Sequence, residues 1–335
     1  MRGAYGPDQP YTKLAARALD LWKQHEAQWK RRFFFPIGVL WMVEGNNEGN
    51  DNDNDAFERA SLPFLKDAGI PFEQLAPNEL KRRWPQINFE NVKWAIYEPQ
   101  SGYLLARAST QAVVDQFVAE RGEYRQAAVA ARDLDSGQWK TLSLTDGSGI
   151  AADRFVFACG PWLGKLFPQT VGRYFLSTKQ DVFFFGTPAG DSRYNEANVP
   201  VWADHSGHFM YGIPGNQGRG FKIADDARGP EFDPTSGQRL VGEDSLKEAR
   251  RYLAYRFPGM KDAPLIETRV CQYENTTDHN FIVDRHPENA NVWIVGGGSG
   301  HGFKHGPALG EMVAKLILKD ETADPLYRLA RFGLK

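Results

Sequence analysis

The stretch that decides the fold lies near the C-terminus: Asn291-Val292-Trp293-Ile294-Val295-Gly296-Gly297-Gly298-Ser299-Gly300-His301-Gly302-Phe303-Lys304. Asn291 to Val295 is a short apolar run and predicts a buried strand. The glycines that follow predict a loop, and Leu309, Met312, Val313, Leu316 and Ile317 then recur on one face of a helix. Glycines permit close approach and a helix N-terminus attracts negative charge, so strand, glycine-dense loop and helix together make a surface on which a cofactor can rest. The loop matches G-x-G-x-x-G in no register, however, and on glycine chemistry alone a tight turn into the helix is the better reading.

A second strand-turn-helix pattern runs from Phe155 to Ala158 into Cys159-Gly160-Pro161-Trp162, as in a dinucleotide fold. Between the two patterns, aromatic-rich runs at Val182 to Phe185, Val201 to Ala203 and Phe209 to Ile213 are separated by Gly and Pro and predict an antiparallel sheet. Ile37 to Val43 and Trp94 to Tyr97 predict further strands. Helices are expected where Tyr11, Leu14, Ala15, Ala18, Leu21, Trp22 and His25 recur, near Ser109 to Glu120, and from about Ser245 to Tyr255. The early helix has no strand before it, and its apolar stripe calls for a partner sheet. The expected class is α/β plus an antiparallel sheet.

With 335 residues, 41% of them hydrophobic, the chain is long enough to bury a large core. A formal charge of −2 provides no field that would recruit nucleic acid or an anionic membrane. Two distant cysteines, Cys159 and Cys271, exclude a disulfide framework and fit a reducing compartment. No apolar run reaches the length of a membrane span and the first residues lack a signal-peptide core, so a cytoplasmic protein is expected.

Asp51, Asp53 and Asp55 mimic the opening of a calcium loop, but Ala56 and Leu62 stand where its Gly and bidentate Glu belong, and the segment reads as a solvated loop. His301 and His305 have no further ligand at metal spacing, so no metal is expected. Asn275-Thr276-Thr277 matches a glycosylation acceptor, without consequence in a protein that is not secreted.

The passage from Val270-Cys271-Gln272-Tyr273 through Asp278-His279-Asn280-Phe281-Ile282-Val283-Asp284 to Gly300-His301-Gly302-Phe303-Lys304 resembles the C-terminal part of monomeric sarcosine oxidases, within the D-amino-acid-oxidase-like flavoenzymes. Arg2 with Ala4-Tyr5-Gly6, Arg83-Trp84-Pro85, Glu98-Pro99, Ser101-Gly102 and Cys159-Gly160-Pro161-Trp162 extend the resemblance over almost the whole chain, with Pro161 in an unusual place. It implies a Rossmann-type FAD domain intertwined with a mixed or antiparallel-sheet substrate domain. The family's first strand and glycine loop are expected upstream of Arg2, so the FAD domain reads as truncated at its N-terminus. The implied boundaries are 1–30, 98–172 and 268–335 for the FAD domain, and 31–97 and 173–267 for the substrate domain.

The resemblance also implies roles. Cys271 is similar to the cysteine that bonds to a methyl carbon of the flavin ring, a reaction needing a thiolate, for which Arg269 is a candidate neighbour. Lys222, which keeps the family's spacing from Tyr211, resembles the lysine over the flavin where oxygen is reduced. Arg2 and Lys304 look like the pair that holds a substrate carboxylate, and Tyr211 and Tyr273 like walls around the amine. Gly160, Trp162, Gly298, Gly300, His301, Gly302, Phe303 and Lys304 fall at cofactor-binding positions. Asp226 stands where sarcosine oxidases carry a histidine, so sarcosine itself is in question; its carboxylate either attracts a cationic amine or is a surface residue of the acidic pair Asp225-Asp226. Phe209, Trp202 and Phe183 to Phe185 are candidates for a roomier pocket, although an aromatic stripe is more often core. Arg2 sits at a chain end, where fraying is the rule.

The implied activity is oxidation of a secondary (N-methyl) or other amino acid to an imine, with oxygen reduced to hydrogen peroxide, by a monomer whose partners are a small amine and oxygen. Two rivals are an inactive remnant that has lost FAD and a flavin dehydrogenase with another acceptor.

Overall fold

The computed structural model describes residues 1–44, 55–130, 139–205, 209–319 and 321–334. The acidic positions Asp51 and Asp53 lie outside the described residues. The chain forms two compact units, one of residues 1–109, 180–229 and 238–271, the other of residues 110–179, 230–237 and 272–335. These boundaries group residues 1–30 and 98–109 with the large sheet, where the sequence expectation puts them with the C-terminal segment. The packing reason is Glu98, buried at the end of the Val92–Glu98 strand. Its carboxylate accepts the N–H groups of Gly3 at 2.8 Å and Ala4 at 3.0 Å and the Ser101 hydroxyl at 2.6 Å.

The first unit is organised on an eight-stranded sheet with the order Leu265–Thr276, Phe175–Phe185, Phe221–Asp225, Met210–Ile213, Val201–Asp204, Val39–Glu44, Val92–Glu98, Glu73–Leu75. Most neighbours pair antiparallel; Val201–Asp204 and Val39–Glu44 run parallel. The unit boundary falls within the first two strands of that order. Successive residues of a strand point to opposite faces, so each strand is divided between two environments.

One face is the main core. Leu40 and Met42, Trp202, Met210, Phe221 and Ile223, and Phe183 and Phe185 pack with Ala249, Leu253 and Phe257 from the Glu243–Arg256 helix and its end. This helix reads as charged in sequence because only a narrow stripe of it is apolar. Its last residue, Arg256, is fully buried and gives its guanidinium to Asp204 at 2.7 Å, while the Tyr252 hydroxyl donates to the same carboxylate at 2.7 Å. Trp202 stacks on Tyr252 with ring centroids 5.4 Å apart. Trp202, Phe183 and Phe185 therefore belong to this core, a correction to their candidacy as pocket walls: the pleat turns them away from the face that carries Tyr211.

In the second unit a three-stranded sheet has the order Ile282–Arg285, Val292–Gly296, Phe155–Phe157. The last two strands pair in parallel, Val292 opposite Phe155 and Ile294 opposite Phe157. Phe155, Phe157, Leu163, Phe167, Val171, Ile282, Val292 and Ile294 form the core there. Both strands feed turns that lead into helical segments, Gly160–Trp162 with Leu163–Leu166, and Phe303–His305 with Gly306–Lys319. The two strand-turn-helix patterns of the sequence are thus neighbours in one parallel pair. No helix among the described residues is long and apolar enough to cross a membrane.

Removing one partner of a buried ion pair leaves the other charge uncompensated, at a cost of about 3–5 kcal/mol. Asp204→Ala is expected to lower unfolding free energy by about that much in urea titrations. A loss under about 1 kcal/mol would show that the pair does not tie the helix to the sheet.

Candidate active site

On the second face of the large sheet, alternation brings the sequence-derived residues of the first unit together. Trp41 is opposite Ala203, Ala203 opposite Tyr211, Tyr211 opposite Ala224, and Ala224 opposite Val182. This row crosses the sheet with a small residue on each side of Tyr211. Lys222, two residues before Ala224, sends its ammonium over the Tyr211 ring, 4.9 Å from the centroid. Asp226 continues the alternation of Lys222 and Ala224 and is held by its N–H to the Phe209 carbonyl at 2.8 Å.

Arg2 does not fray. The terminal amino group donates to the Gly102 carbonyl at 2.6 Å, and Glu98 holds the next two N–H groups. The Arg2 guanidinium lies between the rings of Tyr5 at 4.4 Å and Trp41 at 4.6 Å and donates to the Ala4 carbonyl. Two aromatic faces fix the cation in orientation. Trp41 in turn meets Phe209 at 5.2 Å, and Phe209 meets Tyr211 at 6.4 Å. An aromatic row therefore links the two cations, Arg2 at one end and Lys222 at the other.

Sequence reading missed the group beside this row. Glu58, from the Ala56–Asp67 helix, is buried, and its Oε1 accepts the Trp41 indole N–H at 2.9 Å and lies 3.3 Å from the His205 ring. Burial works against its charge, but the hydrogen bonds from His205 and Trp41 win and hold the carboxyl below its usual range. The hydrogen bond to Glu58 raises the half-exposed His205 above the ordinary histidine value. Nothing local marks Glu58, which looks like any polar residue at a helix start. The available signal was Trp41, whose indole needs an acceptor once the pleat puts it inside.

Cys271 is a free, exposed thiol on the Leu265–Thr276 strand. Arg269, the suggested activator, is engaged with Glu267.

In the second unit the loop after Val292–Gly296 is shaped by close contacts. Gly297 and Gly300 have φ of 73° and 83°, a region that other residues avoid. A methyl on Gly300 would come within 2.6 Å of the Tyr273 ring, and one on Gly302 within 2.9 Å of the Gly298 backbone. His301 stacks on Phe281 at 5.0 Å, and Lys304 Nζ donates to the His301 carbonyl at 3.2 Å. Phe303 is exposed and His305 buried. Gly160 has φ of 56°, and Trp162 gives its indole N–H to Thr235 at 2.9 Å. Glu274, next to Tyr273, reaches under the loop, where its Oε1 accepts the Gly298 N–H at 3.0 Å. Sequence reading missed this residue too. Among the described residues no group of three or more His, Cys, Asp or Glu is placed to hold a metal ion.

The profile of the FAD dependent oxidoreductase family matches residues 1–316. The chain belongs to that family. It is similar to the monomeric sarcosine oxidase of Bacillus sp. (strain B-0618), 29% identical over 327 residues, which cover 96% of this chain and 81% of that protein. It is equally similar to the N-methyl-L-tryptophan oxidase of Yersinia pestis (strain Pestoides F), 29% identical over 341 residues, 99% of this chain and 86% of the other. Among solved structures, L-proline dehydrogenase from P. horikoshii superposes with a TM-score of 0.81 at 22% identity, covering 99% of this chain and 86% of that one. A thermally stable fructosyl peptide oxidase mutant gives 0.75 at 21%, covering 96% and 79%. At that identity the structures speak for the fold, which is that of these flavoenzymes.

As an FAD-dependent oxidoreductase the protein has a titratable pair, Glu58 and His205, beside the aromatic row. A histidine raised by its partner contributes stability that is complete below the ordinary histidine pKa and is lost as pH rises through the raised value. The melting temperature of wild type relative to Glu58→Gln is therefore expected to be highest near pH 5.5 and to decline towards pH 8.5, a range of about three units around the histidine value. An offset independent of pH would contradict the pairing.

Proposed function

We propose that this protein oxidises the C–N bond of an N-substituted amino acid to the imine and passes the electrons to oxygen, releasing hydrogen peroxide. The observation that carries the reading is the row on the second face of the large sheet, with Arg2 fixed between Tyr5 and Trp41 at one end and Lys222 over Tyr211 at the other. A planar fork held rigid on two rings suits a carboxylate. Tyr211 walls the amine, and the Asp226 carboxylate attracts it. The names of the relatives, a sarcosine oxidase and an N-methyl-L-tryptophan oxidase, fit a secondary amino acid as substrate.

The second unit fits FAD. Its loop has no side chains at 296, 297, 298, 300 and 302, and the Glu274 Oε2 atom is buried there without a hydrogen-bond partner. Gly160, Trp162, Gly298, Gly300, His301, Gly302, Phe303 and Lys304 would hold the cofactor, and Cys271 would tether it through sulfur to a ring methyl carbon. When bound, FAD supplies the acceptor for the hydride equivalent leaving the amino acid. The protein's part is to orient the carboxylate and to set the Lys222 ammonium where negative charge develops on oxygen.

The reading predicts a yellow protein that consumes oxygen and releases peroxide with N-methyl or cyclic secondary amino acids. Flavin reduction without oxygen consumption would overturn the oxidase assignment. Acid precipitation is expected to leave the flavin with the protein in wild type and to free it in Cys271→Ser. A colourless wild-type pellet would overturn the tether.

A further inference from the structure

Glu274 lies on the Leu265–Thr276 strand, and its side chain is the contact between two turns of the second unit. Its Oε1 accepts the Gly298 N–H at 3.0 Å, and its backbone carbonyl accepts the Ser299 N–H at 3.0 Å. Its Oε2 is buried and has no hydrogen-bond partner. That atom lies beside two glycines: a methyl on Gly160 would meet it at 3.9 Å and nothing else within 4 Å, whereas one on Gly296 would stand 3.2 Å from it and 2.2 Å from the Leu163 side chain. Gly160 opens the turn after one strand of the parallel pair and Gly296 ends the other. The free oxygen thus borders the open side of Gly160, with Leu163 closing the Gly296 side, at the ends of the two strands whose turns carry the proposed cofactor-binding positions.

Which protonation state this geometry favours follows from chemistry. Oε1 is occupied as an acceptor, so a proton on the carboxyl resides on Oε2 and makes it a donor. Burial pushes the Glu274 carboxyl up to about 7, outweighing the N–H groups of Gly298 and Gly297 that pull it down. The titratable neighbour is Cys159, raised first by its own burial and then by the charge of Glu274. An anionic ligand beside the carboxyl favours the neutral form further, because two negative charges in a desolvated gap repel. Buried polar atoms without partners are uncommon, and a bound group that completes the hydrogen bond explains this one.

We propose that Glu274 binds FAD as a neutral acid, its Oε2–H donating to an acceptor oxygen on the phosphorylated polyol arm of the cofactor. Cofactor binding is then coupled to the uptake of a proton by this side chain. The inference rests on the FAD assignment, which family membership supports, and does not depend on the amine or on oxygen.

The test is the affinity for FAD between pH 5.5 and 8.5, about three units centred on the value that matters. It is measured by quenching of flavin fluorescence on apoprotein carrying Cys271→Ser, so that binding is reversible. With Glu274 present, affinity is expected to fall by up to about tenfold per pH unit above 7, the slope for one proton. Glu274→Gln keeps an N–H donor at every pH, so its affinity should stay flat and close to the acidic value of its parent. Glu274→Ala should bind weakly throughout. If the alanine variant does not fold, the glutamine profile decides, together with proton uptake read by calorimetry in buffers of different ionisation enthalpy. An affinity with Glu274 that is flat or rises with pH, or a glutamine variant with the same slope, would overturn the proposal. No binding of FAD at any pH would instead bring down the FAD assignment itself.

Discussion

The two-residue period of the central strands is the constraint on which the rest depends. Phe221, Ile223, Phe183, Phe185, Met210 and Trp202 pack the main core with the Glu243–Arg256 helix. Lys222, Ala224, Val182, Tyr211, Ala203 and Trp41 are thereby committed to the other face. A slip of one residue in Phe221–Asp225 would turn Lys222 into the main core and Phe221 and Ile223 out of it, so the core enforces the register of the site. The buried Asp204–Arg256 pair fixes the same register from below. Removing two charges from water is costly, and the pair persists only where its hydrogen bonds are complete.

The same logic explains why Arg2 is ordered so near a chain end. Its neighbours Gly3 and Ala4 are hydrogen-bonded to a buried carboxylate at the end of a strand, and its guanidinium is held by ring faces. The general expectation of fraying fails because Glu98 requires donors, and these backbone N–H groups supply them. Trp41 then connects Arg2 to Glu58 and His205, so charge, stacking and burial on this face are interdependent.

Much of this was legible in the sequence, and the parts that were not share one cause. The strand-glycine-helix pattern at Val292 to Gly306 and its partner at Phe155 to Trp162 could be read because backbone needs are written in local residue types. Tyr211 and Lys222 were singled out by the resemblance to the family, whose mutual spacing they keep, and the pairing of their strands brings them to one face. Which face Trp202 or Phe183 would occupy could not be read, because Val201 to Ala203 and Val182 to Phe185 are unbroken apolar runs with no alternation to reveal the pleat. Glu58 and Glu274 escaped notice because what distinguishes them, a missing or shared partner across the fold, is a tertiary property. Arg269 looked like an activator of Cys271, but its charge is committed to Glu267, a side chain two residues away.

The central proposal is that the sheet face presents Lys222 to oxygen as the electron acceptor. It is tested most directly by stopped-flow measurement of the reaction of the reduced protein with oxygen in wild type and Lys222→Met. Loss of a positioned charge that acts in the transition state is expected to slow this reaction by about a hundredfold or more, while anaerobic reduction by the amino acid stays within about threefold of wild type. Equal oxygen reactivity in the two proteins would contradict the account.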